Sequence, residues 1–201
     1  MSGKPRLAVF ASGTGSNYDA IFHAIERNEV AAELTLVVSD KPTAKVIDKA
    51  RNNGTPTFTF EPKVYPSKAA FETEVMEHLH AANIDWIILA GYMRLIGPTL
   101  LHAYEGRILN IHPSLLPAFP GLDAIGQAFQ AGVKVTGVTI HYVDGGMDTG
   151  EIIAQEAVNV QPGINKENLQ KQIQTVEHRL YPAVIERVIH TEYSRGGNTT
   201  T

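Results

Sequence analysis

A few polar side chains stand where apolar runs give way to loops, and their types suit acyl and proton chemistry. Residues 108–117 read Ile-Leu-Asn-Ile-His-Pro-Ser-Leu-Leu-Pro. The apolar run predicts a strand over Ile108–His112, and strand alternation puts Asn110 and His112 on one face. Pro113, Pro117 and Pro120 stiffen the exit loop, and the bond before Pro117 is expected to be cis. Residues 138–153 form a second run that passes from an apolar strand into a turn carrying Asp144 and Asp148. An amide is a neutral donor for an oxyanion, and an imidazole near its reference pKa exchanges protons at neutral pH. A carboxylate beside the imidazole favours the imidazolium and fixes the ring. Transfer of an acyl group to an amine needs these three services: removal of a proton from the nucleophile, stabilisation of the tetrahedral oxyanion, and protonation of the leaving nitrogen. Spacing does not choose between Asp144 and Asp148, both of which also suit an ordinary turn. A lone histidine at a strand end is more often structural, so residue types alone do not settle the role of His112.

The elements that must position these groups alternate. Short apolar runs predict strands at Leu7–Ala11, Leu34–Ser39, Thr55–Phe60 and Trp86–Ala90, before the one at Ile108–His112. Helical spacing falls between them at Asn17–Arg27, Ala44–Asn53 and Ser67–Ala82, with Ser67 as N-cap, and a short helix starts near Pro98. Strand–helix alternation predicts an α/β fold with a mostly parallel, doubly wound sheet. After a helix at Ala124–Ala131 the pattern changes. Val133–Val143 and Glu151–Val160 read as an antiparallel strand pair, and Lys166–Ile189 as one long closing helix, with Pro182 marking a bend. Ser194–Thr201 reads as a frayed polar tail. No repeat or linker divides the chain, so one domain over residues 1–201 is expected.

Ala11-Ser12-Gly13-Thr14-Gly15-Ser16-Asn17 follows the first strand and opens a helix. Glycines let the backbone approach an anion, and free N–H groups at a helix start bind it. A dinucleotide loop needs a third glycine where Tyr18 stands, although Asp40 at the end of the second strand could imitate the ribose-binding acid. No Gly-Lys-Ser/Thr follows, so this is no Walker loop. A monophosphate fits best; a tight turn without a ligand is the plain alternative.

Other classes are disfavoured. The formal net charge of -4 gives no basic face for nucleic acid. No apolar run reaches membrane-spanning length, and the N-terminus lacks a signal-peptide pattern. The absence of cysteine removes disulfides and thiolate nucleophiles. His112, His141 and Asp148 could formally ligate a metal, but there is no His-Glu-x-x-His, and no metal is expected. His141 either lines the site or is a structural histidine. A cytoplasmic protein is expected, and a homodimer is compatible with a sequence that does not fix the oligomeric state.

The Asn-Ile-His-Pro-Ser run and the Met-Asp-Thr-Gly turn, at this separation, resemble the folate-dependent formyltransferases, and the likeness runs from about Arg6 to about Ile189. With the Ala11–Asn17 loop added, the resemblance is closest to the branch that formylates glycinamide ribonucleotide in purine biosynthesis. It implies a Rossmann-like formyltransferase fold, no metal, and 10-formyltetrahydrofolate as co-substrate. It implies Asn110, His112 and Asp148 as the catalytic set. Gly15, Ser16 and Asn17 would hold the ribonucleotide phosphate and Glu177 its ribose. Met93, Arg94, Leu95, Ile96, Asn110, Tyr142, Val143 and Asp144 would hold the folate, with Lys68 at its glutamate tail, where the family often has arginine. Lysine keeps the charge there but lacks the bidentate fork. Asp123 departs from the histidine or other polar residue common at its position. Other formyltransferases of the family and the formyltetrahydrofolate hydrolases usually carry a further domain, which a chain of this length is expected to lack. A non-catalytic nucleotide-binding module is the rival of a different class.

Overall fold

The computed structural model describes residues 3–196, with side chains for residues 3–191. Seven strands form one sheet: β1 (Arg6–Phe10), β2 (Glu33–Ser39), β3 (Thr57–Thr59), β4 (Trp86–Leu89), β5 (Ile108–His112), β6 (Val135–Tyr142) and β7 (Ile152–Asn159). Their spatial order is β3-β2-β1-β4-β5-β6-β7. The first five are mutually parallel, whereas β6 runs antiparallel to both β5 and β7. This is the expected α/β architecture. Continuous apolar runs make sense here because alternate residues feed opposite cores. Leu7 and Val9 enter one buried cluster, and Ala8 and Phe10 the other.

The first cluster lies beneath α1 (Ser16–Glu26), α2 (Lys45–Asn52) and α6 (Lys166–Gly196), and the second beneath α3 (Lys68–Ala81) and α4 (Pro98–Ala103). The remaining helix, α5 (Ala124–Ala131), follows the proline loop. Ser67 caps α3, its Oγ accepting from the Ala70 N–H at 3.2 Å. The Leu116–Pro117 bond is cis. Strand order reverses direction between β1 and β4, the switch point at which open α/β sheets bind ligands. At that point the Ser12 N–H donates to the Gly91 carbonyl at 3.0 Å, joining the two loops that flank it.

Three elements differ from the sequence expectation. The third strand is shorter than Thr55–Phe60, because the Thr55 amide bonds back to Ala50 and its hydroxyl meets the Tyr18 hydroxyl at 3.1 Å. The last helix, continuous through Pro182 as expected, runs past Ile189 to Gly196. Burial of Tyr181, Val184 and Ile185 around the proline compensates for the backbone hydrogen bond that it cannot donate. Residues 194–196, expected in a frayed tail, are therefore helical, and the rest of that tail lies outside the described residues.

Candidate active site

A cavity of about 430 Å³ opens at the carboxyl ends of β4 and β5, a size suited to a small organic ligand. Asn110 and His112 line it from β5, and Asp148 lines it from the turn between β6 and β7. His112 is 5% exposed, with Nδ1 3.4 Å from Asp148 Oδ2 and Nε2 2.8 Å from the Phe119 carbonyl oxygen. A carbonyl oxygen only accepts, so Nε2 carries a proton, while Nδ1 faces the Asp148 carboxylate. Asp148 has φ 57, and its Oδ2 also accepts the Gly121 N–H at 2.7 Å. Burial pushes the Asp148 carboxyl up, but the His141 ring, the Gly121 N–H and the His112 charge outweigh it and hold it below the usual range.

Register brings in a fourth group. Asn110 pairs across the strands with His141, which puts both side chains on one face. Asn110 Nδ2 lies 3.1 Å from His141 Nε2, and His141 Nδ1 lies 2.7 Å from the Tyr142 carbonyl oxygen. That carbonyl requires a proton on Nδ1, and Nε2 faces the Asn110 amide. His141 Nε2 is also 3.7 Å from Asp148 Oδ1. The choice between the two turn carboxylates, open in the sequence, is geometric. Asp144 Oδ1 accepts from Thr149 Oγ1 at 2.7 Å and from the Gly146 N–H at 3.0 Å, both within its own turn. The Thr149 hydroxyl, opposed by partial burial, holds it below the usual carboxylate range. Asp148 is the one that faces the imidazole.

Chemically, the site presents an amide donor, a buried imidazole N–H and an ionised carboxylate at one end of an apolar slot. A formyl transferase family model matches residues 5–185. The chain belongs to the formyl transferase family. It is 54% identical to the phosphoribosylglycinamide formyltransferase of Bacillus subtilis (strain 168), over 92% of this chain and 94% of that protein. The solved phosphoribosylglycinamide formyltransferase of Bacillus halodurans superposes with a TM-score of 0.90 at 56% identity, covering 92% of this chain and 95% of the other. Glycinamide ribonucleotide transformylase 1 of Geobacillus kaustophilus gives 0.90 at 60% identity, covering 92% and 98%. The human trifunctional purine biosynthetic protein adenosine-3 is 37% identical over 97% of this chain, which spans 19% of that protein.

Within this formyl transferase the Ala11–Asn17 loop is set by packing as well as by its exposed amides. Gly15 has φ 74, and a Cβ there would lie 2.7 Å from Val46 Cγ2 on α2. The loop therefore needs glycine for backbone conformation and for helix contact alike. Asn17, 8% exposed, donates from Nδ2 to Glu177 Oε2 at 3.2 Å, while its own Oδ1 is buried without a partner. Burial pushes the Glu177 carboxyl up to about 7, partly offset by the Asn17 amide. Asn17 and Glu177, 160 residues apart in sequence, thus share one buried polar spot. Asp40 does not take the part of a ribose-binding acid: its oxygens are occupied by Ser12 Oγ and Arg94 Nε.

The slot is walled by the loop after β4. Met93, Arg94, Leu95 and Ile96 line it, as do Val143 and Asp144. Met93, Leu95, Leu122 and Met147 are large apolar side chains left half or more exposed around it, an unusual cost unless a ligand covers them. Two expected folate contacts lie elsewhere. Tyr142 packs against the first core cluster and does not line the cavity, because alternation along β6 turns it away from the face that carries His141. Lys68 is an exposed residue in the first turn of α3, outside the lining. Gln170 of α6 and Leu122 line the cavity without having been singled out in the sequence. His141 stood open between site and structure, and cross-strand register, which periodicity does not reveal, puts it in the site. Among the described residues no group of three or more His, Asp or Glu is arranged to hold a metal ion.

Proposed function

We infer that this protein transfers a formyl group from 10-formyltetrahydrofolate to the amine of glycinamide ribonucleotide, giving formylglycinamide ribonucleotide and tetrahydrofolate in purine biosynthesis. The observation that carries the reading is the buried His112–Asp148 pair beside Asn110 at the head of an apolar slot. The Bacillus subtilis and Geobacillus kaustophilus relatives, whose whole length the chain nearly matches, suggest the substrate.

In this reading the amine nitrogen attacks the formyl carbon, and the carbonyl π pair moves to oxygen. The Asn110 amide and the His112 Nε2–H donate to that oxyanion. The His112 Nε2–H now given to the Phe119 carbonyl is the donor that a bound formyl oxygen takes over. Asp148 holds the His112 ring and, through water, takes the ammonium proton that returns to the folate nitrogen as the C–N bond breaks. Gly15, Ser16 and Asn17 hold the phosphate, and Glu177 the ribose. The buried, unpartnered Asn17 Oδ1 supports this, because it lacks a donor that a ligand hydroxyl would provide. Met93–Ile96 with Val143 and Asp144 hold the pteridine, Tyr142 contributes through its backbone, and Lys68 meets the glutamate tail. The chain acts as one formyltransferase domain in the cytoplasm; among the described residues no helix is long and apolar enough to cross a membrane.

The test is absorbance of the folate product with both substrates, beside the same mixture without ribonucleotide. Product that depends on ribonucleotide is expected. Equal product in both mixtures identifies a hydrolase, and none in either refutes the assignment.

A further inference from the structure

Four hydrogen bonds around a buried aspartate tie the folate-side loop to the phosphate-side loop. Asp40, at the end of β2, is 5% exposed. Its Oδ1 accepts from Ser12 Oγ at 2.5 Å and its Oδ2 from Arg94 Nε at 2.7 Å. Ser12, itself buried, accepts the Met93 N–H on Oγ at 3.0 Å, while its own N–H donates to the Gly91 carbonyl at 3.0 Å. A hydroxyl has one proton. With that proton committed to Asp40, the Ser12 lone pairs are aimed at Met93. Asp40 thus fixes the 91–96 loop twice, through the Arg94 guanidinium and through the hydroxyl that holds the Met93 backbone.

We propose that Asp40 is a positioning residue that holds the 91–96 loop in its folate-binding shape and anchors it to the phosphate loop. The proposal rests on the reading of the 91–96 loop as the folate slot. Two features single out aspartate. Both neighbours are donors, so the residue between them must accept on two atoms at once. Asparagine has one acceptor oxygen and would turn its amide hydrogens on either Ser12 or Arg94. The proposal also gives Arg94 a role different from a side-chain contact with folate: its guanidinium is turned to Asp40, and it serves the slot by fixing its own backbone.

The test pairs a substrate-free measurement with kinetics, using Asp40→Asn. Hydrogen–deuterium exchange of the 91–96 segment in the unliganded protein should accelerate about tenfold or more, the size of one lost charged hydrogen bond. The KM for 10-formyltetrahydrofolate should rise by a similar factor, while kcat and the ribonucleotide KM stay within about twofold. A residue that merely supports the fold would lower the fraction of active enzyme without splitting the two KM values. Unchanged exchange overturns the proposal, as does a folate KM within twofold of the parent. If Asp40→Asn does not fold, Ser12→Ala carries the same test, because it removes the hydroxyl that joins Asp40 to the Met93 backbone. Failure of the wild-type protein to use the folate would refute the proposed function, and the exchange rates, which need no substrate, would still decide whether Asp40 holds the loop.

Discussion

Replacing Glu177 by glutamine should stabilise the protein at alkaline pH and leave it unchanged in mild acid. Glu177 is 7% exposed, and its one hydrogen-bonding side-chain partner shown is the neutral Asn17 amide at 3.2 Å. Burial disfavours the charged form and raises its pKa to about 7, against roughly 4.3 in an unfolded chain. Between those values the folded state keeps a proton that the unfolded state gives up. The contribution of Glu177 to stability is therefore present below about pH 4 and is lost as pH rises through 7. At 1.36 kcal/mol per pKa unit the loss is about 4 kcal/mol. Glutamine keeps the acceptor for Asn17 and has no charge to desolvate. At pH 8.5 Glu177→Gln should melt about 8–16 °C above the parent, and at pH 4.5 within about 2 °C of it. Scanning calorimetry of both proteins at the two pH values measures this, and the difference between them cancels every other titrating group. A melting difference that is the same at both pH values would refute the argument that Glu177 is buried with its ionisation opposed. The variant should also raise the ribonucleotide KM, because the carboxylate is the stronger acceptor for a ribose hydroxyl.

Three further outcomes follow from the geometry. Asp148→Asn leaves His112 without its counter-charge, so kcat should fall by a factor of about 10² to 10⁴ with the ribonucleotide KM little changed; steady-state turnover within tenfold of the parent would remove Asp148 from the mechanism. Gly15→Ala forces a Cβ to within 2.7 Å of Val46 Cγ2 at a φ of 74, and urea denaturation should show a loss of about 1–3 kcal/mol. Glu72, buried on α3, accepts the Gly97 N–H at the start of α4 at 2.6 Å, with its second oxygen unpartnered; Glu72→Ala should cost about 1–3 kcal/mol in urea and Glu72→Gln much less, so equal losses would show that the hydrogen bond is not what matters.

Much of the fold is written in local pattern. Buried strands such as Leu7–Ala11 and Trp86–Ala90 read as unbroken apolar runs, because both faces of a parallel sheet are covered. The Ser67 cap and the switch from parallel to antiparallel pairing after residue 131 were equally legible, since capping and strand length depend on neighbours in sequence. Asn110 and His112 fall on one face by strand alternation alone, and the Ala11–Asn17 strand-to-helix turn is marked by its glycines. The third strand was read too long because Thr55 turns inward to Tyr18, a partner 37 residues away.

Tertiary structure decided the rest, because those facts join residues far apart in the chain. Nothing in the spacing of Asp144 and Asp148 selects the one that meets His112; the fold of the turn does, by bonding Asp144 into the turn and presenting Asp148 to the imidazole. His141 becomes the partner of Asn110 only through the β5–β6 register. The pairing of Asn17 with Glu177 spans 160 residues, and the Asp40–Arg94 pair that fixes the slot spans 54. Periodicity reports which face a side chain takes. Which face it meets is set by packing of the whole sheet.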